Sequence, residues 1–252
     1  MPSPRPAVLA PPGRPLYEEV RAHLTEGIAE GRWKAGDALP TESALAARFG
    51  VAIGTVRKAV DALVAQGALV RRQGKGTYVA AHDDRRLMFH FFHIVGAGGE
   101  KAQPEVRTVR FERGRADAAE AAALGLPRDE RVIRIRNVLS LAGRPVILDD
   151  IAIPAALFPG LTERIFTGRD NTIYHLYQSR YGINVLRTDE HLRAVLAAGD
   201  IAQLLQVGAG APLLEIRRVA LTFRDRPVEH RLSRVNTAAH AYHNTFGKGE
   251  AA

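Results

Sequence analysis

"GVAIGTVRKAVDALVAQGALVRRQGKGTYVA", Gly50 to Ala80, joins an amphipathic helix to a short, glycine-centred basic hairpin. Val56, Val60 and Leu63 recur at helical spacing and share one face. Gly67 stops the helix, and "ALVRRQGKGTYVA" reads as two strands, Leu69 to Arg72 and Thr77 to Ala80, around a turn. The tip, Gln73, Gly74, Lys75 and Gly76, has no apolar surface to bury. It is poor core and good contact surface. Glycines let a backbone approach a partner closely, and Lys75 supplies charge.

Working outward, Leu16, Val20, Leu24 and Ile28 form one apolar stripe, predicting a helix from Pro15 onward. "EGRWKAGDALP" breaks it with Gly31, Gly36 and Pro40. Thr41 is an N-cap for a second short helix that turns Leu45 and Phe49 inward and ends at Gly50. Gly50, Val51 and Ala52 then form a tight turn into the third helix. Helix, helix, short turn, helix and hairpin outline a winged helix-turn-helix. A helix fits the major groove, its N-terminal residues reach base edges, and the preceding helix spans the backbone.

The bulk numbers agree with this outline. A chain of 252 residues holds one large domain or two modest ones. No apolar run approaches the roughly 18 residues of a membrane span. Met1 to Gly13 is proline-rich without the apolar core of a secretory signal, so it is expected to be a disordered tail. With no cysteine, disulfides, thiolate metal sites and cysteine nucleophiles are all excluded, which fits a cytoplasmic protein. The formal charge of +8 points to an anionic partner. Much of it is local: Arg48, Arg57, Lys58, Arg71, Arg72 and Lys75 face only Asp61 between Arg48 and Lys75.

From Arg14 to Ala80 the chain resembles the DNA-binding domain of GntR-family bacterial transcription regulators, with the framework "G-LP-E--LA---GV---TVR-A---L---G-----GKGT-V" intact. The resemblance implies DNA contact by Ser43, Ile53, Gly54, Thr55, Arg57, Gln73, Gly74 and Lys75. Two departures stand out. Relatives commonly carry Arg where this chain has Ser43, and Ser-Arg where it has Ala52 and Ile53. The lost Ser cap should cost about 0.5–2 kcal/mol. The lost Arg often reads guanine in relatives, whereas Ile53 would meet a thymine methyl. The operator should therefore differ from the family's usual one.

"AHDDRRLM", 81–88, has the make-up of a linker. Beyond it, "VIRIRNVLSLAGRPVILDDIAIP" reads as a hairpin turning at Ala142 to Arg144, and "PLLEIRRVALTFRDRPVEHRLSRVN" repeats that logic with Asp225 and Arg226 at its tip. Both carry "R-P-V" after the turn, suggesting two similar units of one sheet. "ADAAEAAALGL" and "DIAQLLQV" read as short helices. The expected fold is α+β in two domains, 14–80 and 89–247.

The second half resembles the UTRA effector-binding domain of the HutC-like branch, an antiparallel-sheet fold shared with chorismate lyase. "LDD-AIP", "TIYHLYQSRYGINV" and "RPVEHRLSRVN" carry the resemblance. It implies a small-molecule effector, a homodimer and no cofactor. By position it implies ligand contact for Asp149 and Glu229, and for Thr172 and Tyr174 at a helix start whose amides can hold an anion. Relatives that bind sugar phosphates carry an Arg pair where this chain has Asn137 and Leu139. Arg134 and Arg136 lie nearby on one strand face, and a bidentate guanidinium suits a carboxylate, so a small carboxylate is the expected effector. Asp149 and Glu229 read equally well as carboxylates paired with arginines, and Tyr174 as core.

Histidines invite a metal reading that geometry weakens. On a strand from Leu87 to Ile94, His90 and His93 would face opposite sides. His240 and His243 suit one helix face but lack a third ligand, so no metal site is expected and His93 is assigned instead to the effector cleft. Two alternatives stay open. One is a lyase-type enzyme on the C-terminal fold, against which no Ser-His-Asp, HExxH or P-loop pattern is present. The other is a DNA-binding protein without an effector.

Overall fold

The computed structural model describes residues 15–81 and 91–244. The expected tail, nearly all of the linker and His90 lie outside the described residues. Two compact units result.

The first unit is built on three helices and a hairpin. Helix α1 (Leu16–Ala29) buries Val20, Leu24 and Ile28, while Leu16 is exposed. Each such aliphatic side chain contributes about 1.5–3 kcal/mol on burial. Helix α2 (Glu42–Phe49) is capped by Thr41, whose hydroxyl accepts from Ala44 N (3.2 Å), and ends at Gly50 with φ 66°. A side chain there would meet the steric penalty of the left-handed region. Helix α3 (Ile53–Ala65) follows with no side-chain cap at Ala52, as expected from the missing serine. Strands β1 (Leu69–Arg72) and β2 (Gly76–Val79) pair antiparallel, the second starting one residue earlier than its sequence suggested. Val56, Val60 and Leu63 meet Leu24 and Leu45 in one core.

This unit also recruits two segments from the C-terminal half, 170–187 and 222–226. Sequence boundaries follow the chain; compactness does not. Leu186 and Phe223 pack against the three-helix core, and Gln178 Nε2 donates to the Ala80 carbonyl (2.8 Å). A helix (Ile173–Tyr181) thereby belongs to the first unit.

The second unit is a six-stranded antiparallel sheet in the order β4-β5-β6-β9-β8-β7. Its strands are β4 (Glu105–Arg115), β5 (Arg131–Leu141), β6 (Arg144–Pro154), β7 (Arg187–Leu196), β8 (Pro212–Leu221) and β9 (Pro227–Asn236). Both expected hairpins are present, and their returning strands β6 and β9 lie side by side. The first turns at Ala142 and Gly143, both at positive φ; the second turns through a 3-10 segment, Phe223–Asp225. Helix α4 (Ala118–Leu124) starts with a reciprocal capping box between Asp117 and Glu120. Helix α5 spans Glu163–Thr167, the Ile173–Tyr181 helix is α6, and α7 spans Gly199–Leu205. A two-stranded ribbon of β3 (Ile94–Gly96) and β10 (His240–Tyr242) packs its Ile94 and Tyr242 with Leu139, Ile147 and Ile216 of the sheet. His240 is therefore in a strand, so the helix face on which it could have joined His243 is not formed.

Register fixes the two faces, because side chains alternate along each strand. Asn137 pairs with Asp149, Asp149 with Ser233, and Ser233 with Ile216, so these share one face. Arg136 pairs with Asp150, and Asp150 with Leu232, so these share the other.

Candidate functional site

In the first unit the expected DNA-contact residues are mostly surface. Ser43, Ile53, Gly54, Arg57, Gln73, Gly74 and Lys75 are exposed, and Thr55 is half-buried. Ile53 leaves 46% of its area open at the N-terminus of α3. The hairpin tip closes through Lys75 N to the Arg72 carbonyl (2.9 Å), with Gly74 at φ 69°. Tyr78 braces it: its hydroxyl donates to the Lys75 carbonyl (3.1 Å), and the Arg72 guanidinium lies 4.6 Å from its ring centre.

One carboxylate organises this surface. Glu42, in the first turn of α2, accepts from Arg57 Nε of α3 (2.9 Å) and from Arg71 of β1 (3.1 Å). Arg71 also reaches Asp61 (2.7 Å). Arg57 and Arg71 remain 60% and 45% exposed, so both guanidiniums are open to a second anion. Sequence reading missed Glu42, although its place just after the Thr41 cap was a signal.

The expected effector residues separate into three places. Asp149, Glu229 and His93 belong to one sheet face. Asp149 accepts from Ser233 Oγ (2.5 Å) and from Arg231 (3.0 Å), and Arg231 also binds Glu229 (2.8 Å). All three charged side chains are nearly buried, Glu229 completely. Beside them Arg218 pairs with Glu190 (2.5 Å), which also accepts from the Tyr242 hydroxyl (2.5 Å). Burial, together with that bond to Glu190, pushes the Tyr242 phenol well above its ordinary value. A cleft opens here, lined by Phe92, His93, Asp149, Arg218, Arg231 and Tyr242 among others. On the same face Asn137 is fully buried; its Oδ1 accepts from Thr108 (2.8 Å) while its Nδ2 has no partner.

Arg134 and Arg136 lie on the opposite face, and this corrects the expectation that they serve the same cleft as Asp149. Even positions of β5 point away from Asn137 and Asp149. Both forks are also engaged: Arg134 binds Glu120 through two nitrogens (2.7 Å each), and Arg136 bridges Asp150 and Asp200 (2.5 Å each). These hydrogen bonds raise both guanidinium pKa values above their already high ordinary value. Nearby on that face is buried His230, whose Nε2 has no partner and whose pKa is lowered by burial and by Arg217.

Thr172 and Tyr174 belong to the first unit. Thr172 caps α6, its hydroxyl accepting from His175 N (3.1 Å), and Tyr174 is buried with its ring 5.8 Å from that of Tyr177. No group of three or more metal-type ligands occurs among the described residues. Arg231 and Ser233 were legible in principle, since Glu229, Arg231 and Ser233 alternate along one strand face. Arg218, Glu190 and Tyr242 carried no such signal, being joined only across strands.

A winged helix-turn-helix with an exposed recognition helix, in one chain with a sheet that bears a polar cleft, defines a ligand-responsive DNA-binding regulator. Family models agree: "Bacterial regulatory proteins, gntR family" matches residues 16–79 and "UTRA domain" matches 99–241. The mannosyl-D-glycerate transport/metabolism system repressor MngR of Escherichia coli (strain K12) is 32% identical over 80% of this chain and 83% of its own. The histidine utilization repressor of Pseudomonas putida is 33% identical over 81% of each chain. Among solved structures, the ligand-binding domain of a regulator assigned to the GntR family from Bordetella bronchiseptica is 37% identical, with a TM-score of 0.59 over 62% of this chain and 98% of its own. PhnF from Mycobacterium smegmatis is 25% identical, with a TM-score of 0.53 over 91% and 99%.

The chain belongs to the GntR family, in its UTRA-containing, HutC-like branch. It is a transcription regulator and not an enzyme, with operator DNA and a small-molecule effector as its partners. No described helix is long and apolar enough to cross a membrane.

Proposed function

We propose that this regulator is a cytoplasmic homodimer that represses transcription by placing α3 in the major groove of each operator half-site. Repression is the activity named for both relatives above. Paired half-sites are the usual partner of a two-fold symmetric helix-turn-helix. Ile53, Gly54 and Thr55 would face base edges, with Arg57 on a phosphate and Ser43 on the flanking backbone. Gln73, Gly74 and Lys75 would follow the adjacent backbone. The effector would occupy the cleft at His93 and Asp149, with Glu229 holding Arg231 from behind.

The observation that carries the DNA reading is the Glu42 bridge. It gathers α2, α3 and the hairpin into one surface while leaving Arg57 mostly exposed. An arginine held this way needs little reorganisation to take a phosphate oxygen. Replacing Arg57 by Ala should weaken binding to all DNA sequences and flatten the slope of log K against log salt by about one unit. Filter binding across a salt series measures both. An unchanged slope overturns the phosphate role.

A further inference from the structure

The sheet face turned away from Asp149 holds a cavity of about 270 Å³, room for a small metabolite. Arg110 and Glu112 of β4, Arg134 and Arg136 of β5, Asp150 of β6 and His230 of β9 line it. Register brings them together. Arg110 pairs with Arg136 and Arg136 with Asp150; one row on, Glu112 pairs with Arg134, Arg134 with Ala152, and Ala152 with His230.

Its charges fall into two sets. Those on β5 and β6 are already neutralised: Glu120 holds Arg134 by two hydrogen bonds, Asp150 and Asp200 hold Arg136, and Arg234 takes the other oxygen of Asp150 (2.5 Å). Asp117 and Glu120, at the start of α4, are also tied into their capping box. A lone ion entering here would have to break one of these pairs, which is costly. On the edge strand, by contrast, Arg110 and Glu112 make no hydrogen bond or ion pair among the described residues. They are opposite charges on one face, roughly 7 Å apart along the strand. A free cation beside a free anion matches a molecule that carries both signs and no net charge.

A third demand lies deeper. His230 is only 6% exposed and its Nε2 has no partner, an arrangement that calls for a ligand or an ordered water. Burial and Arg217 lower its pKa, so at neutral pH it presents an uncharged imidazole. Between His230 and β4 the lining includes Ala152 and Leu232, which suit a methylene stem. Three strand spacings, roughly 14 Å, separate the backbones of Glu112 and His230, so even with long side chains reaching in, the ligand must be extended.

We propose that this cavity is a second ligand site, separate from the cleft at Asp149, and that it takes a free amino acid as its zwitterion. The carboxylate would lie on Arg110 and the ammonium on Glu112. An uncharged amide at the end of the side chain would reach His230.

The test is isothermal titration of the full chain at pH 7.5 with L-glutamine, L-asparagine, L-leucine, succinate and putrescine, all at one ionic strength. Wild type is compared with Arg110→Ala, Glu112→Gln, His230→Leu and, as a control, Arg128→Ala, an exposed arginine in the turn after α4. At least one of the two amides should bind wild type, and leucine should bind about tenfold more weakly. Arg110→Ala and Glu112→Gln should each weaken the amide about tenfold or more, and Arg128→Ala should leave it unchanged. His230→Leu should erase the preference over leucine. Should that variant fail to fold, which circular dichroism reveals, the two surface variants still decide the site. Succinate or putrescine binding as tightly as the amides overturns the zwitterion. Binding that ignores both Arg110→Ala and Glu112→Gln overturns the site, as does an equal loss in the control. Absence of binding by both amides also overturns the proposal.

Discussion

Arginine–carboxylate pairs organise both units, and the two sets behave as different materials. In the first unit Glu42 holds Arg57 and Arg71, whose side chains remain 60% and 45% exposed. In the second, Arg231 holds Asp149 and Glu229 with 12%, 3% and 0% of those side chains exposed. Exposed pairs are worth about 0–1 kcal/mol, because water competes for both partners. They are easily exchanged for another anion, which is what a DNA-facing surface requires. Breaking a buried pair strands a charge, which costs about 3–5 kcal/mol. Such a cluster is a rigid frame against which a ligand can be discriminated.

The largest expected effect breaks the frame. Replacing Arg231 by Ala should destabilise the protein by about 3–5 kcal/mol, because Asp149 and Glu229 are left buried without their shared partner. Arg57→Ala should cost no more than about 1 kcal/mol. Urea midpoints of the two variants, read by circular dichroism, test the contrast directly, and equal midpoints would erase it.

The next concerns reading of bases. Ile53 exposes an apolar side chain at the start of α3, where the only favourable base contact is a thymine methyl. Ile53→Arg should shift preference towards G at one symmetric pair of operator positions, by about 1–3 kcal/mol per contact, and tighten non-specific binding. A randomised-operator selection at fixed salt measures it. Identical base frequencies for both proteins would mean that Ile53 does not face the bases.

A smaller effect separates the two helices of the DNA-binding surface. Thr41 caps α2, whereas Ala52 leaves α3 uncapped. Thr41→Ala should lose about 1 kcal/mol, and Ala52→Ser should gain a comparable amount if its hydroxyl reaches the free amides. Thermal unfolding of both variants checks the opposite signs.

The smallest belongs to the second unit's other face. His230 has a pKa lowered in the fold from 6.5, through burial first and Arg217 second. Below about pH 6.5 the unfolded chain takes up a proton that the fold resists, so stability falls as pH drops through that region. His230→Leu should flatten this acid-side decline while leaving neutral pH little changed. Denaturation midpoints at pH 7.5 and 5.5 give the comparison, and parallel losses would exclude His230 as the group.

How much was legible follows the range of the forces involved. Helices α1 to α3 and the wing are local objects: four-residue apolar spacing, the Thr41 cap, the Gly50 stop and the glycine-centred turn each act within a few residues. Both hairpins were legible for the same reason, since a turn at Ala142 and Gly143 sets the register of what flanks it. Alternation on β5 also determined that Arg134 and Arg136 share a face. Which face it was could not be read from β5 alone. The pairing of Asn137 with Asp149, and of Asp149 with Ser233, decided that, and it separated the two arginines from the cleft. Tertiary structure likewise decided that Glu42 gathers Arg57 and Arg71, and that Arg218 and Tyr242 meet at Glu190. A charged side chain chooses its partner by distance in space and by the loss of water around it. Neither quantity is written along the chain.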